Sequence, residues 1–215
     1  GYLRYLVFFG LSVIFPLLFA AVLSVVNVFE RMNNLRYERR ARAALRADRD
    51  LIRIGITGSF GKTSVKGALA AMLSVRFNVL ATPESYNTPM GIAKTVKTLD
   101  ATHDVFIAEM GARRKGDIGR LMRIVRPSHT LLTGVNDQHL ETFGSREAIM
   151  REKLKILDVR AEDGVCIVND SLASVPRIAE NRYGNIVLAG RDENSPVRYS
   201  DVAVCEDGSV FTLWL

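Results

Sequence analysis

The stretch GITGSFGKTSVKGALAAML, residues 55–73, places two glycines, a lysine and a threonine at the start of a helix-like pattern. Gly58 and Gly61 let the backbone wrap closely around an anion, because glycine tolerates positive φ and has no side chain to obstruct the approach. The amides at the start of the following helix also favour negative charge. Lys62 can reach terminal phosphates, and the Thr63 hydroxyl can hold a magnesium ion. The stretch therefore predicts a phosphate cradle for ATP or GTP.

The cradle departs from the strict G-x-x-x-x-G-K-[ST] pattern, because residue 56 is isoleucine. The alternative interpretation of the same residues is a glycine turn that caps an ordinary helix. The order of a strand, a glycine loop, Lys-Thr and a helix favours the phosphate cradle, since this is the context in which such a loop binds nucleotides.

From residue 51 onward, short apolar runs alternate with segments of helical periodicity. The alternation predicts an α/β fold, with a mostly parallel sheet and helices on both faces. The predicted strands are residues 51–57, 78–82, 104–110, 129–135, 164–169 and 185–190, and the predicted helices are residues 62–76, 88–99, 115–125, 145–160 and 171–181. Residues 201–208 and 209–215 predict a terminal hairpin. Ligands in such folds lie beyond the carboxyl ends of the strands.

An uncharged segment, residues 5–29, precedes this pattern. As a helix it would be about 37 Å long, enough to cross a hydrocarbon core of about 30 Å with some tilt. A signal peptide, the alternative, has an apolar core of only about 7–15 residues. We therefore predict one transmembrane helix (1–30), a basic juxtamembrane linker (31–50) and an α/β domain (51–215). We expect a longer protein to continue at both ends.

The predicted linker carries seven arginines, at positions 31, 36, 39, 40, 42, 46 and 49. Positive charge beside a span marks the cytoplasmic side, so the α/β domain is predicted to face the cytoplasm from a single-pass anchor in the cell membrane. A basic patch can also bind nucleic acid, but its place beside a span favours anionic lipid headgroups or a plain topology signal. We expect no nucleic-acid partner. Cys166 and Cys205 have no metal-like spacing and indicate a reducing compartment.

Four motifs in order resemble the Mur ligase family, the ATP-dependent amide-forming enzymes of peptidoglycan synthesis. The first is the shortened cradle T-G-S-x-G-K-T, and the others are SYNTPMGI (85–92), IAEMGARRKGDI (107–118) and GVNDQHLETFGS (134–145). The last two resemble the branch that adds D-alanyl-D-alanine to a UDP-linked tripeptide. The resemblance covers residues 51–215. It implies that they form the family's central ATP-binding domain, incomplete at its C-terminus.

The resemblance also implies one nucleotide site and two magnesium sites. The implied nucleotide-binding residues are Gly58, Ser59, Gly61, Lys62, Thr63, Ser64 and Asn87. Thr63 and Glu109 would hold the first Mg²⁺, and His139 and Lys153 would hold the second. Lys153 lies fourteen residues after His139, where the family carries a carbamylated lysine. Carbamylation requires a neutral amine and therefore a depressed pKa. The implied catalytic residues are Lys62, His139 and Lys153.

The implied reaction activates a carboxylate as an acyl phosphate with ATP and joins it to an amine. The substrates would be a peptidoglycan precursor and D-alanyl-D-alanine or a similar amino acid or dipeptide. Two alternatives stay open: a related amide ligase, of the poly-γ-glutamate synthase type or one that amidates lipid-linked precursors, and a non-catalytic ATP-binding membrane scaffold. Without the resemblance, His139 would be interpreted as a helix-cap residue and Lys153 as a solvated lysine.

Overall fold

The computed structural model describes residues 1–48, 50–159, 163–180, 185–206 and 208–215. Its α-helices are α1 (Tyr2–Ala47), α2 (Lys62–Leu73), α3 (Pro89–Val96), α4 (Asp117–Val125), α5 (Leu140–Phe143), α6 (Arg146–Lys153) and α7 (Pro176–Ala179). Its strands are β1 (Ile52–Thr57), β2 (Val79–Ala81), β3 (Val105–Glu109), β4 (His129–Leu132), β5 (Cys166–Asn169), β6 (Ile186–Gly190), β7 (Val197–Cys205) and β8 (Gly208–Trp214). Four residues within predicted segments lie outside the described residues: Arg49, Arg160, Asn181 and Asp207.

These strands form one sheet in the order β2-β3-β1-β4-β5-β6-β7-β8. Neighbours from β2 to β7 are parallel, and β7 pairs with β8 antiparallel. The predicted mostly parallel sheet is therefore confirmed. The terminal hairpin is also present, although β7 begins at Val197 rather than at residue 201. Because β7 pairs with β6, the hairpin extends the sheet instead of standing apart from it.

Helices cover both faces of the sheet, as predicted. Adjacent residues of β3 point to opposite faces: Ile107 packs with Ile54 and Ile56 on the face that α2 covers, whereas Phe106 packs in the larger core beneath α3, α4 and α6. Every residue of β3 is buried. A strand covered on both faces reads as a continuous apolar run, which explains why the sequence pattern located it.

Two predicted helices are shorter in the structure, for different reasons. Helix α6 ends at Lys153 and is followed by a 3₁₀ turn, Leu154–Leu157. The tighter winding lets Leu154, Ile156 and Leu157 all be buried, which one stripe of an α-helix does not allow. In residues 171–181, Pro176 lacks an N–H and restricts the residue before it to extended backbone. A regular helix therefore begins only at Pro176.

Helix α1 runs without interruption from the uncharged segment through the residues expected to form a separate linker. Its first part is long and apolar enough to cross a membrane, by length and composition, and is not buried in the protein. Its last part packs on the α/β domain, because Tyr37, Ala41 and Leu45 follow one another at helical spacing and join the core. The Glu38 carboxylate pairs with the Arg120 guanidinium at 2.5 Å. The basic segment is therefore a docked part of the domain.

Candidate active site

The loop between β1 and α2 is shaped by its two glycines. Gly58 has a φ of 156° and Gly61 a φ of 73°, values that favour glycine. A Cβ on Gly58 would lie 2.0 Å from Thr133 Oγ1, so no side chain fits there. The Ser59 amide donates to the Gly134 carbonyl at 2.8 Å. This bond ties the loop to the segment after β4, at the carboxyl end of the sheet.

Lys62 is the first residue of α2, and its side chain folds back over the loop. Its Nζ donates to the Gly58 carbonyl at 2.8 Å and to the Ser59 carbonyl at 3.4 Å. Burial lowers the pKa of Lys62, although the nearby Glu109 carboxylate opposes the shift. The ammonium therefore lies within the loop, where the terminal phosphates of a nucleotide would bind. Ser64 is exposed on the same first turn.

Glu109 ends β3, the neighbour of β1 in the sheet, and its side chain is almost fully buried. Its Oε2 accepts hydrogen bonds from Thr63 Oγ1 at 3.0 Å and from Lys66 Nζ at 3.1 Å. Its Oε1 accepts from Asn87 Nδ2 at 3.1 Å. The structure thus brings together Thr63, Asn87 and Glu109, three of the residues that the sequence singled out.

The oxygen atoms of this cluster suit a magnesium ion. Neighbouring ligands of an octahedral Mg²⁺, with bonds of about 2.1 Å, lie about 3.0 Å apart. Thr63 Oγ1 and Glu109 Oε2 have that separation. Hydroxyl and carboxylate oxygens are also the donors that this ion prefers. Lys66 now holds the same Oε2, so its ammonium supplies the positive charge at this carboxylate.

Lys153 is buried, although its neighbours Arg151 and Lys155 suggest an exposed helix face. Only 3% of its surface is exposed, and its Nζ donates to the Gly58 carbonyl at 2.9 Å. The same carbonyl accepts from Lys62. Burial and the Lys62 charge lower the pKa of Lys153 to about 8, and Glu152 opposes the shift. The depressed pKa that the resemblance implied is therefore present, and the amine lies beside the cradle.

His139 is not joined to this cluster. It precedes the short helix α5 with a φ of 67°, and its side chain is exposed. Among the described residues, no hydrogen bond or ion pair joins its imidazole to another side chain. Nor does the described part of the chain hold any group of three His, Cys, Asp or Glu side chains arranged for a metal ion. The second magnesium site therefore stays a prediction, since its ligand Lys153 becomes anionic only as a carbamate.

Two buried charges near the site escaped the sequence reasoning. Lys66 lies one turn after Lys62 on α2, a spacing that puts both side chains on one face of the helix and that could have revealed it. Glu152 accepts from the amides of Gly116 and Ile118, at 2.8 and 2.9 Å, at the start of α4. Burial raises the pKa of Glu152, but hydrogen bonds from Lys155 and Gly116 outweigh it, and the net shift is downward. No local pattern signals this contact.

A parallel sheet, a glycine cradle at the carboxyl end of β1 and an acid at the end of the adjacent strand define a nucleotide-binding α/β protein. Comparison with known sequences then identifies the family. The profile of the Mur ligase middle domain matches residues 56–215. The chain belongs to the Mur ligase family.

Relatives of known function agree with this assignment. The chain is 32% identical over 161 residues to UDP-N-acetylmuramoyl-tripeptide–D-alanyl-D-alanine ligase of Bacillus subtilis, which covers 74% of this chain and 34% of the relative. The enzyme of the same name from Mycobacterium leprae is 38% identical over 142 residues, covering 66% and 28%. The chain therefore spans about a third of the length of these relatives.

Solved structures give the same result. MurF from Acinetobacter baumannii superposes with a TM-score of 0.74 at 25% identity, over 84% of this chain and 42% of that chain. MurF from Thermotoga maritima, solved in complex with ADP, superposes with a TM-score of 0.73 at 27% identity over the same shares. FPGS of L. casei, at 16% identity and a TM-score of 0.59, shares the fold alone.

Proposed function

We propose that the protein is an ATP-dependent ligase that joins D-alanyl-D-alanine, or a similar amine, to the carboxylate of a peptidoglycan precursor. One observation carries the proposal. The amines of Lys62 and Lys153 meet at the Gly58 carbonyl of the cradle, next to the carboxylate cluster of Glu109. The names of the similar relatives supply the substrates.

Lys62 and the loop amides would bind the β- and γ-phosphates of ATP. The reaction brings a carboxylate and the γ-phosphate together, and both are negatively charged. Positively charged groups held in place before the reaction lower the cost of that approach. Lys62 lies in the loop, and Lys66 is held against Glu109. Asn87 would fix the Glu109 carboxylate by occupying its second oxygen.

Magnesium would be held first by Thr63 and Glu109, and it would supply charge neutralisation for the transferring phosphoryl group. For the second ion, we propose His139 and a carbamate formed on Lys153. With a pKa of about 8, roughly a tenth of the Lys153 amines are neutral at pH 7, compared with well under a thousandth for an ordinary lysine. The neutral amine is the form that reacts with carbon dioxide.

Burial of Lys153 also argues against a non-catalytic scaffold. A buried amine costs free energy unless a carboxylate pairs with it, and the neighbouring Glu152 is engaged by Lys155 and by the start of α4. A protein that only held ATP has no use for a second amine at the cradle. An amide ligase that must place a substrate carboxylate there has such a use.

We also propose that α1 anchors the protein by a single span, with the ligase domain facing the cytoplasm. The span is supported by the length and apolar composition of α1. The orientation is supported by the arginines that follow it. We propose anionic lipid headgroups as partners of the exposed part of this basic segment.

The test uses the full-length protein in lipid nanodiscs with Mg-ATP, and it measures ADP release and the ligated product. We expect ADP release that requires both UDP-N-acetylmuramoyl-tripeptide and D-alanyl-D-alanine. Release with glutamate or ammonia in place of the dipeptide would overturn the amine assignment and favour the related amide ligases. ATP binding without turnover for any of these amines would favour the scaffold.

A further inference from the structure

A cavity of about 920 Å³ lies at the opposite end of the sheet from the cradle. Arg53 and Ser128, which line it, stand at the amino ends of β1 and β4, and the ends of α1 and α4 form its walls. Its lining includes six basic side chains: Arg42, Arg46, Arg53, Arg123, Arg126 and Lys155. Two acidic side chains also line it, Asp48 and Asp158.

Both acids are occupied by other partners. Asp48 Oδ1 accepts from the amides of Asp50 and Leu51 at 3.0 Å each, which ends α1. Asp158 pairs with Arg177, and Arg177 does not line the cavity. Lys155, for its part, is neutralised by Glu152 at 2.5 Å. The charges that need a partner are therefore those of the arginines.

Four of these arginines form what we call the arginine cluster: Arg42, Arg46, Arg123 and Arg126. Among the residues that the structure describes, no hydrogen bond or ion pair reaches any of their guanidinium groups. The Arg42 Nε is buried and has no hydrogen-bond partner there. Its unsatisfied donor is costly, because a buried polar group without a partner loses its hydration for nothing. The cluster is thus incompletely compensated.

The remaining arginine records the same excess of charge. Arg53 donates to the carbonyl of Leu45 at 2.7 Å and to that of Arg126 at 3.2 Å. Burial and the Arg126 charge lower the pKa of Arg53, and Asp48 only partly opposes them. The C-terminal ends of α1 and α4 contribute about half a negative charge each. They offset about one of the four charges in the cluster.

We propose that this cavity binds a phosphate-bearing anion, at a site separate from the ATP cradle. Guanidinium groups match phosphate oxygens with paired hydrogen bonds, and an anion would satisfy the buried donor of Arg42. Ligand sites range from about 300 to 1,000 Å³, so the cavity accepts a phosphorylated molecule larger than phosphate itself. The ligand class is therefore a multiply charged phosphate compound.

Such a phosphate can come from solution or from a lipid headgroup. Arg42 lies thirteen residues after Phe29, about 20 Å along the helix, whereas the headgroup layer is only about 5–8 Å thick. That distance favours a soluble ligand. A neighbouring cavity of about 670 Å³, lined by Arg42, Arg123 and also Asn27 and Arg31, leads toward the span. It gives a headgroup a path to the same arginines.

The test measures binding of inorganic pyrophosphate by calorimetry to the full chain in phosphatidylcholine nanodiscs. All proteins carry Lys62→Ala, which weakens the cradle so that the remaining binding reports the cavity. The test variant adds Arg42→Gln and Arg46→Gln. The matched control adds Arg39→Gln and Arg40→Gln, which remove the same charge from exposed positions of the same helix. We expect the test pair to weaken binding at least tenfold and the control pair to change it less than twofold.

Phosphatidylglycerol nanodiscs then distinguish the two sources. Unchanged pyrophosphate affinity there would identify a soluble ligand, and competition that disappears in the Arg42→Gln/Arg46→Gln variant would identify a headgroup. Equal effects of the two pairs, or no binding by the Lys62→Ala parent in either lipid, would overturn the proposal. Arg123→Gln on α4 repeats the test if the first pair lowers the melting temperature, and its failure to weaken binding would count equally against the site.

Discussion

The two ends of the sheet carry similar positive charge but treat it differently. At the carboxyl end, Lys66 meets Glu109 at 3.1 Å, and Lys62 and Lys153 share one carbonyl oxygen. At the amino end, the arginine cluster faces a cavity in which both acids are engaged elsewhere. The protein thus holds its lysines in place with its own acceptors before any ligand binds. The arginine cluster has no such acceptor, so its compensation has to come from outside the chain.

Removing Lys62 should break the carboxyl end most completely. Lys62→Ala deletes the cation of the cradle, and we expect ligation to fall by about a thousandfold, the upper range for loss of one preorganised charge at a reacting group. ADP release by the full-length protein measures the effect. Lys115→Ala, at an exposed position, is the control. Near-normal turnover by Lys62→Ala would show that the loop is not the phosphate cradle.

Lys153 tests whether the two lysines at Gly58 have separate roles. Lys153→Ala should lower ligation by about a hundredfold, and Lys153→Arg should be no better, because a guanidinium stays charged and does not form a carbamate. Acetate or formate should partly restore the alanine variant by returning carboxylate oxygens. The neighbouring exposed Arg151→Ala serves as the control. Normal ligation by Lys153→Ala, without any effect of acetate, would sink the second metal site and weaken the role of His139.

The wall of the arginine cavity depends on packing rather than on charge. Leu45 is 1% exposed, whereas Leu35 on the same helix is 39% exposed. Leu45→Ala should lower the free energy of unfolding by about 2 kcal/mol, at the low end for buried leucines because α1 packs at the edge of the domain. Leu35→Ala should cost less than about 0.5 kcal/mol. Denaturant titration of both variants in the same detergent measures the difference, and equal losses would mean that α1 does not dock on the domain.

The smallest expected effect is the pH dependence of stability from Lys153. Its pKa of about 8 in the folded protein lies below the unfolded value, so between about pH 8 and 10.5 the unfolded chain binds more protons. The unfolding free energy should therefore gain roughly 1 kcal/mol across that window as pH rises. Lys153→Met should remove this gain, while Lys115→Met should keep it. A fall in stability over the same window that depends on Lys153 would contradict the burial of its amine.

The sequence located most of the fold because its strands are covered on both faces and read as continuous apolar runs. The cradle was also readable, since its glycines and Lys62 lie within five residues. The partners of Glu109 were harder to anticipate. Lys66 reaches Glu109 only because β1 lies beside β3 in the sheet, and strand order is not a local property. Burial of Lys153 was likewise invisible, because its sequence neighbours are charged.

The arginine cavity shows the same limit more strongly. Arg42 and Arg123 are about eighty positions apart in the sequence and share a cavity only because α1 docks beside α4. In the sequence, Arg42 was one of seven similar arginines beside an apolar segment. Docking separates these arginines by environment: Arg39 and Arg40 stay exposed, whereas Arg42 is partly buried.

The unbroken winding of α1 fixes the rotational phase between its apolar half and the domain docked on its last turns. Each residue of an α-helix turns the chain by about 100° and advances it by about 1.5 Å. One residue inserted in the exposed stretch between the two halves would therefore swing the cradle about a quarter of the way around the helix axis. Seven inserted residues, close to two full turns, would nearly restore the original heading about 10 Å farther along. The direction in which the catalytic cleft opens is thus set by helix length, one residue at a time.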